Sequence, residues 1–175
     1  MKVLAFGASN STHSINKQLA IYTAERVGGS ELNIIDLNDF EVAIFSPERN
    51  TLSGVPEAIV QFVEHIQGAD LIVISFAEYN SSYTAAFKNI FDWATQCKYQ
   101  LFENKKLFLM ATSPGTRGGL AVLESAIDRF PRHGAEIVGN FLFPEFYKNF
   151  DPKKGITDVD LLNSLQQKLK NIFLG

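Results

Sequence analysis

The chain has 175 residues, a net charge of −3 and one cysteine, Cys97. Its length and its 46% hydrophobic content predict one domain over residues 1–175 with a continuous core, and no apolar run reaches the ~18–20 residues that cross a bilayer. The charge argues against nucleic-acid binding, and one cysteine allows neither an intrachain disulfide nor a thiolate metal site, so we expect a cytoplasmic protein without a bound metal.

Strands and helices alternate along the sequence. Short apolar runs predict strands at 3–6, 32–37, 71–74, 107–111 and 136–143. Helical spacing of apolar residues predicts helices at 15–27, 56–68, 87–94 and 120–130, and a last helix behind a capping box formed by Thr157 and Asp160. Residues 38–55 follow neither period and are interpreted as a long excursion. Five alternations favour a parallel sheet with helices on both faces, because parallel strands need crossover connections.

Three chemically distinctive loops follow strands and leave the same edge of the predicted sheet, where ligands of such sheets bind. The first, residues 8–16, reads Ala-Ser-Asn-Ser-Thr-His-Ser-Ile-Asn and leads into a helix. Its hydroxyls, its amides and the helix N-terminus suit a phosphate, although Ser14 taken alone is better explained as an N-cap. The loop lacks the residues of a Walker motif and the glycines of a dinucleotide fingerprint, so one terminal phosphate fits better than a pyrophosphate.

The other two loops are weaker signals when each is taken alone. Residues 76–82 offer an aromatic ring, an amide and backbone groups that suit a flat heterocycle, and they also suit the start of a helix capped by Ser81 or Ser82. Residues 112–119 contain three glycines, which allow positive φ and close approach of the backbone to a ligand; an ordinary turn is the alternative. The joint placement of all three loops is the specific signal.

Together these loops resemble those of the NADPH-dependent FMN reductase family of flavodoxin-like proteins. The resemblance is carried by Ser9-Asn10-Ser11-Thr12-His13-Ser14-Ile15-Asn16, by Glu78-Tyr79-Asn80 with Lys88-Asn89-Ile90-Phe91-Asp92-Trp93, and by Ser113-Pro114-Gly115-Thr116-Arg117-Gly118-Gly119. It implies a flavodoxin-like three-layer α/β/α sandwich whose five-stranded parallel sheet has the order 2-1-3-4-5. Two positions depart from the family pattern. Ser11 replaces an arginine, which removes a charge-assisted contact to phosphate or nucleotide, and Ala77 replaces a proline.

The resemblance also implies a cofactor and its contacts. The FMN phosphate would be held by Ser9, Ser11, Ser14, Ile15 and Asn16, the isoalloxazine bordered by Glu78, Tyr79 and Asn80, and its other side closed by Ser113, Gly115 and Gly118. The implied reaction is hydride transfer from NADPH or NADH through FMN to a small acceptor such as a flavin, a quinone or an azo compound. Because the flavin carries the redox chemistry, we expect no catalytic side chain. Family members commonly associate, so a homodimer or homotetramer is expected.

Other readings remain open at this point. An electron-transfer flavodoxin would have no nicotinamide site, but such carriers are usually far more acidic than −3. Asp36, at the end of the second predicted strand, suits a Rossmann NAD(P)-binding domain, yet the glycine fingerprint is missing. A hydrolase using Ser9 lacks a recognisable partner pair. Cys97 and Trp93 are predicted to be core residues, as are Phe87 and Phe91, although the three aromatic residues also suit a seam between subunits.

Overall fold

A computed structural model describes residues 1–172 of the protein. One sheet contains five parallel strands: β1 (Lys2–Ala8), β2 (Glu31–Ile34), β3 (Leu71–Phe76), β4 (Lys105–Thr112) and β5 (Ala135–Phe143). Their order across the sheet is β2-β1-β3-β4-β5, which confirms the expected order 2-1-3-4-5. Every residue of the central strand β3 is buried, as its continuous apolar sequence predicts for a strand covered on both faces.

Helices cover the two faces of the sheet. On one face lie α1 (Ile15–Val27) and α7 (Val159–Asn171), and on the other α3 (Glu57–Gly68), α4 (Ala85–Cys97) and α5 (Leu120–Arg129). Side chains of β1 alternate between the two cores, with Leu4 and Phe6 in one and Val3 and Ala5 in the other. The three-layer architecture is therefore confirmed. Among residues 1–172, no helix is both long and apolar enough to cross a membrane.

The predicted excursion at 38–55 contains regular structure. A 3-10 turn spans Leu37–Phe40 and a short helix, α2, spans Pro47–Ser53 with Ser46 as its N-cap. None of the residues of α2 is buried, which explains why no hydrophobic period marks it in the sequence.

The segment before α2 is tied to α4 by side-chain hydrogen bonds. The Asn89 Oδ1 accepts the Phe45 N–H (2.8 Å), and the Trp93 Nε1–H donates to the Ala43 carbonyl (2.8 Å). Because Trp93, Phe87 and Phe91 are buried within the chain, they are core residues and do not form a subunit seam.

Two local predictions were wrong. Cys97 is exposed, because it is the last residue of α4 and lies beyond the apolar face of that helix. The N-cap of α7 is Asp158, whose Oδ1 accepts the Leu161 N–H (2.9 Å). Thr157 instead donates its N–H to the Asn149 carbonyl (2.8 Å), so it belongs to the connection that follows α6 (Phe146–Asn149).

Candidate functional site

The three polar loops meet around one cleft of about 200 Å³ at the carboxyl ends of β1, β3 and β4. Of the predicted site residues, the cleft is lined by Ser9, Ser11, Ser14, Ile15, Asn16, Glu78, Tyr79 and Ser113. Asn80, Gly115 and Gly118 lie in the same loops but not in the lining. Tyr147, on α6, lines the cleft as well and carried no signal in the sequence.

A larger cleft of about 380 Å³ lies at the other end of the sheet, beside the amino ends of β1 and β2. Its polar lining includes Lys2, Glu31, Glu64 and His65, of which His65 hydrogen-bonds to Asn33 (2.8 Å). Ligands of open parallel sheets bind at the carboxyl ends of the strands, so we place the functional site in the smaller cleft, where the three loops converge.

The first loop presents hydrogen-bond donors at the N-terminus of α1. The Ser14 Oγ accepts the Lys17 N–H (3.1 Å), which confirms Ser14 as the N-cap. The N–H groups of Ile15 and Asn16, the first two of the helix, have no acceptor within the part of the chain that the structure describes. Together with the hydroxyls of Ser9 and Ser11, these N–H groups and the positive end of the helix dipole form a donor set that fits a phosphate.

The side chain of Asn16 is turned away from this donor set. Its Oδ1 accepts the Thr112 N–H (3.1 Å) and the Ser75 hydroxyl (2.7 Å), while its Nδ2 donates to the Thr112 carbonyl (3.1 Å). Asn16 is 2% exposed, and its three hydrogen bonds lie in the interior. The expectation that this amide faces a phosphate is therefore wrong, and only the backbone N–H of Asn16 remains available.

The second loop is a tight hairpin. Strands Glu78–Tyr79 and Ser82–Tyr83 pair through a turn in which Asn80 (φ 52°) and Ser81 (φ 59°) adopt left-handed conformations. Neither Ser81 nor Ser82 caps the following helix. The N-cap of α4 is Thr84, whose Oγ1 accepts the Phe87 N–H and donates to the Ala8 carbonyl (both 3.1 Å).

The Glu78 carboxylate is hydrogen-bonded to the backbone of α5. Its Oε2 accepts the Val122 N–H (2.9 Å) in the first turn of α5. A carboxylate is stabilised at a helix N-terminus, and this bond joins the second loop to the helix that follows the third. The ring of Tyr79 is 54% exposed at the cleft.

The third loop owes its shape to contacts within the protein. Gly118 (φ 59°) and Gly119 (φ 83°) have positive φ, as predicted, but Gly115 does not. A Cβ on Gly118 would lie 3.1 Å from the Pro144 Cα. A side chain at position 118 would therefore meet the backbone that follows β5, which is a second reason, beside the positive φ, for a glycine there.

Glu78 is the one acidic side chain among the described residues of the cleft lining. None of the lining residues within 1–172 is a lysine or an arginine, and the imidazole of His13 is exposed and contacts the Thr12 hydroxyl (3.1 Å). Asp36 lies outside the lining, paired with Lys17 and accepting the Asn38 N–H (2.9 Å). Burial alone would raise the pKa of Asp36, but the hydrogen bonds from Lys17 and Asn38 outweigh it and hold the pKa below its usual value. These bonds occupy the carboxylate that a Rossmann ribose site would need.

Sequence reasoning missed the buried polar residues that join the loops. Ser75 and Thr112 lie within or at the end of apolar strands and are almost completely buried, and Thr84 is buried at the N-terminus of α4. Because buried polar groups are nearly always hydrogen-bonded, the position of Ser75 and Thr112 in apolar runs was an available signal.

The sequence matches a known protein family, and the fold matches solved structures. The family model described as NADPH-dependent FMN reductase matches residues 1–148. The flavoenzyme NAD(P)H:(acceptor) oxidoreductase FerB from Paracoccus denitrificans is 20% identical, with a TM-score of 0.75 over 98% of this chain and 94% of that chain. The apo form of the NADH:FMN oxidoreductase EMOB is also 20% identical, with a TM-score of 0.75 over 99% of this chain and 88% of that one. An azoreductase from Bacillus anthracis str. Sterne is 14% identical, with a TM-score of 0.68 and complete coverage of both chains. At such identities the likeness to solved structures establishes the fold.

Proposed function

The chain belongs to the NADPH-dependent FMN reductase family, and we propose that its FMN binds in the cleft where the three loops converge, within one domain spanning residues 1–175. The observation that carries this assignment is the convergence itself. Loops from three separate strands bring a phosphate-type donor set and an aromatic residue to one cleft at the carboxyl edge of the sheet.

The phosphate end of the proposed site is the N-terminus of α1. The hydroxyls of Ser9, Ser11 and Ser14 would donate to the phosphate oxygens, together with the N–H groups of Ile15 and Asn16. Ile15 contributes through its backbone, so its apolar side chain is no obstacle. Because the lining formed by residues 1–172 contains no lysine or arginine, neutral donors and the helix dipole would do most to stabilise the phosphate charge.

The ring end of the proposed site is formed by the second and third loops. Glu78, Tyr79 and Asn80 would border the isoalloxazine mainly through backbone groups, since the Glu78 carboxylate is held by α5. Ser113 and Gly115 would close the other side, and Gly118 would act by setting the shape of the loop. Bound FMN supplies hydride acceptance and donation, while these residues supply orientation and exclude water. No side-chain acid or base is assigned.

The acceptor, the assembly and the location belong to the same proposal. We propose a small planar acceptor, namely a flavin, a quinone or an azo compound, with NADPH or NADH as the donor. The structural relatives include enzymes described as FMN oxidoreductase and azoreductase, which supports that class. Ile44 and Leu52 are 75% and 86% exposed, which supports association into a homodimer or homotetramer. A lone exposed thiol is compatible with the cytoplasm, where thiols stay reduced.

An absorbance and fluorescence titration with FMN tests the assignment. The wild-type protein should quench FMN fluorescence, and NADPH or NADH should bleach the flavin band. Ser11→Asp should weaken FMN about tenfold or more, because a carboxylate 4 Å from each phosphate charge costs about 1 kcal/mol per pair even in water. Ser53→Asp adds the same charge on the exposed helix α2 and should leave the affinity unchanged. Failure of the wild type to quench FMN, or equal affinities for both variants, would refute the site.

A further inference from the structure

We infer that Asn16 is a positioning residue of the cofactor site, whose side-chain amide fixes the first loop against the third. This inference rests on the proposed function. It differs from a direct contact to the phosphate, because the amide contacts only Thr112 and Ser75 among the described residues.

The side-chain amide of Asn16 pairs with the backbone of Thr112 through two hydrogen bonds. The amide of Asn16 donates to the Thr112 carbonyl and accepts the Thr112 N–H, each at 3.1 Å, although the two residues are 96 positions apart. The Ser75 hydroxyl donates to the same Asn16 Oδ1 at 2.7 Å. One side chain on α1 therefore ties the helix to the ends of β3 and β4.

Only a carboxamide satisfies this arrangement. The Thr112 carbonyl needs a donor and the Thr112 N–H needs an acceptor, and Asn16 supplies both at the required spacing. A carboxylate would place an oxygen against the carbonyl, and alanine would leave both backbone groups without partners. Buried backbone groups are costly to leave unsatisfied.

The hydrogen bonds between Asn16 and Thr112 affect the site because both residues lie beside the proposed cofactor. Asn16 carries one of the N–H groups of the proposed phosphate site, and Thr112 directly precedes Ser113 in the third loop. The Thr112 hydroxyl also donates to the Phe143 carbonyl (2.7 Å) at the end of β5. The side chain of Asn16 therefore sets the separation between the phosphate donors and the loop beside the proposed flavin ring.

Two further bonds tie the remaining pairs of loops. Thr84 joins the second loop region to Ala8, where the first loop begins, and Glu78 joins it to Val122 behind the third. With the Asn16–Thr112 bonds, each loop or the helix that follows it is hydrogen-bonded to both of the other loop regions. Binding groups are held accurately when a supporting layer of hydrogen bonds fixes them.

The experiment compares Asn16→Ala with Ser75→Ala. Ser75 is completely buried, is absent from the cleft lining and donates to the Asn16 Oδ1, so Ser75→Ala disturbs Asn16 without removing a group that lines the proposed FMN site. We expect FMN affinity to fall about tenfold in Asn16→Ala and severalfold in Ser75→Ala, with the double variant no weaker than Asn16→Ala alone. In the cofactor-free protein, the Thr112 N–H should exchange with solvent faster in both variants than in the wild type.

Two results would overturn the inference. Wild-type FMN affinity in Asn16→Ala would remove the positioning role. Weakened FMN binding in Asn16→Ala, with wild-type exchange of the Thr112 N–H in that variant, would show that the amide does not act through Thr112. A wild-type protein that does not bind FMN would overturn the proposed function instead, and the exchange measurement would still show whether the tie exists. Ser75→Ala keeps the test valid should Asn16→Ala fail to fold.

Discussion

Gly7 allows α1 to lie directly on β1, and Gly7→Ala should separate the two. A Cβ at this position would lie 2.4 Å from the Lys17 N, 2.8 Å from the Lys17 Cα and 3.0 Å from the Asn16 carbonyl carbon. All three are backbone atoms in the first turn of α1, so no side-chain rotation relieves the contact. The helix N-terminus must therefore move away from the sheet.

The size of the effect follows from these distances. The closest contact must grow from 2.4 Å to at least 3.4 Å to reach ordinary van der Waals separation. Overpacking of this kind costs about 1–3 kcal/mol. The same displacement would stretch the 3.1 Å bonds between Asn16 and Thr112, and unsatisfied buried groups add about 1–3 kcal/mol. We expect Gly7→Ala to lower the free energy of unfolding by about 2–6 kcal/mol and to weaken FMN binding.

Urea denaturation of the cofactor-free protein and FMN titration measure the two effects. Gly68→Ala is the matched control, since Gly68 ends α3 and a Cβ there would meet no atom within 4 Å. Alanine is the better helix former, so the control should be unchanged or more stable by about 0.5–1 kcal/mol. If Gly7→Ala matched this control in both stability and FMN affinity, the close packing of α1 on β1 would not be what holds the site.

Two further predictions concern regions beside the site. The Tyr83 hydroxyl is buried without a partner in residues 1–172, and burial raises its pKa to about 12. Tyr83→Phe should be as stable as wild type or up to ~1 kcal/mol more stable at neutral pH in urea denaturation. Tyrosine in the unfolded chain ionises near pH 10, so the stability of the wild type should also fall as the pH rises from 10 towards 12. Tyr83→Phe should lack this loss, and equal pH profiles of the two proteins would contradict the prediction. Asn89→Ala should lower the free energy of unfolding by about 1–3 kcal/mol, because the Phe45 N–H loses its acceptor, and should speed proteolysis within residues 38–55. Lys88→Ala removes an exposed ion pair and should do neither. Equal cleavage rates in the two variants would show that Asn89 does not hold this segment.

The strands that bury both faces were predictable because burial leaves a continuous apolar run. β3 and β4 lie in the interior, and their sequences show it. β2 lies at the sheet edge and ends at Ile34, short of the predicted 37, because Asp36 and Leu37 enter a 3-10 turn. The helix α2 left no signal because it buries none of its residues.

For the loops of the site, the position was predictable from the sequence, but the directions of the side chains were not. Their position followed from the rule that ligands bind at the carboxyl edge of a parallel sheet, and hydroxyl and amide residues marked the first loop. The direction of each side chain was not predictable. An asparagine at the second position of a helix reads the same whether its amide faces a phosphate or the Thr112 peptide group, and only the neighbouring strand decides between them.

The buried hydrogen bonds between the loops matter because no lysine or arginine lines the cleft in the part of the chain that the structure describes. Attraction between a lysine and a phosphate varies slowly with distance, so such a site tolerates small errors in position. A hydrogen bond from a neutral donor weakens steeply when its angle or length departs from the ideal. Because Ser11 stands where the family pattern has an arginine, the proposed phosphate site depends on donors of the second kind. A site built from neutral donors requires accurate placement, and the buried bonds of Asn16, Thr84 and Glu78 are what would provide it.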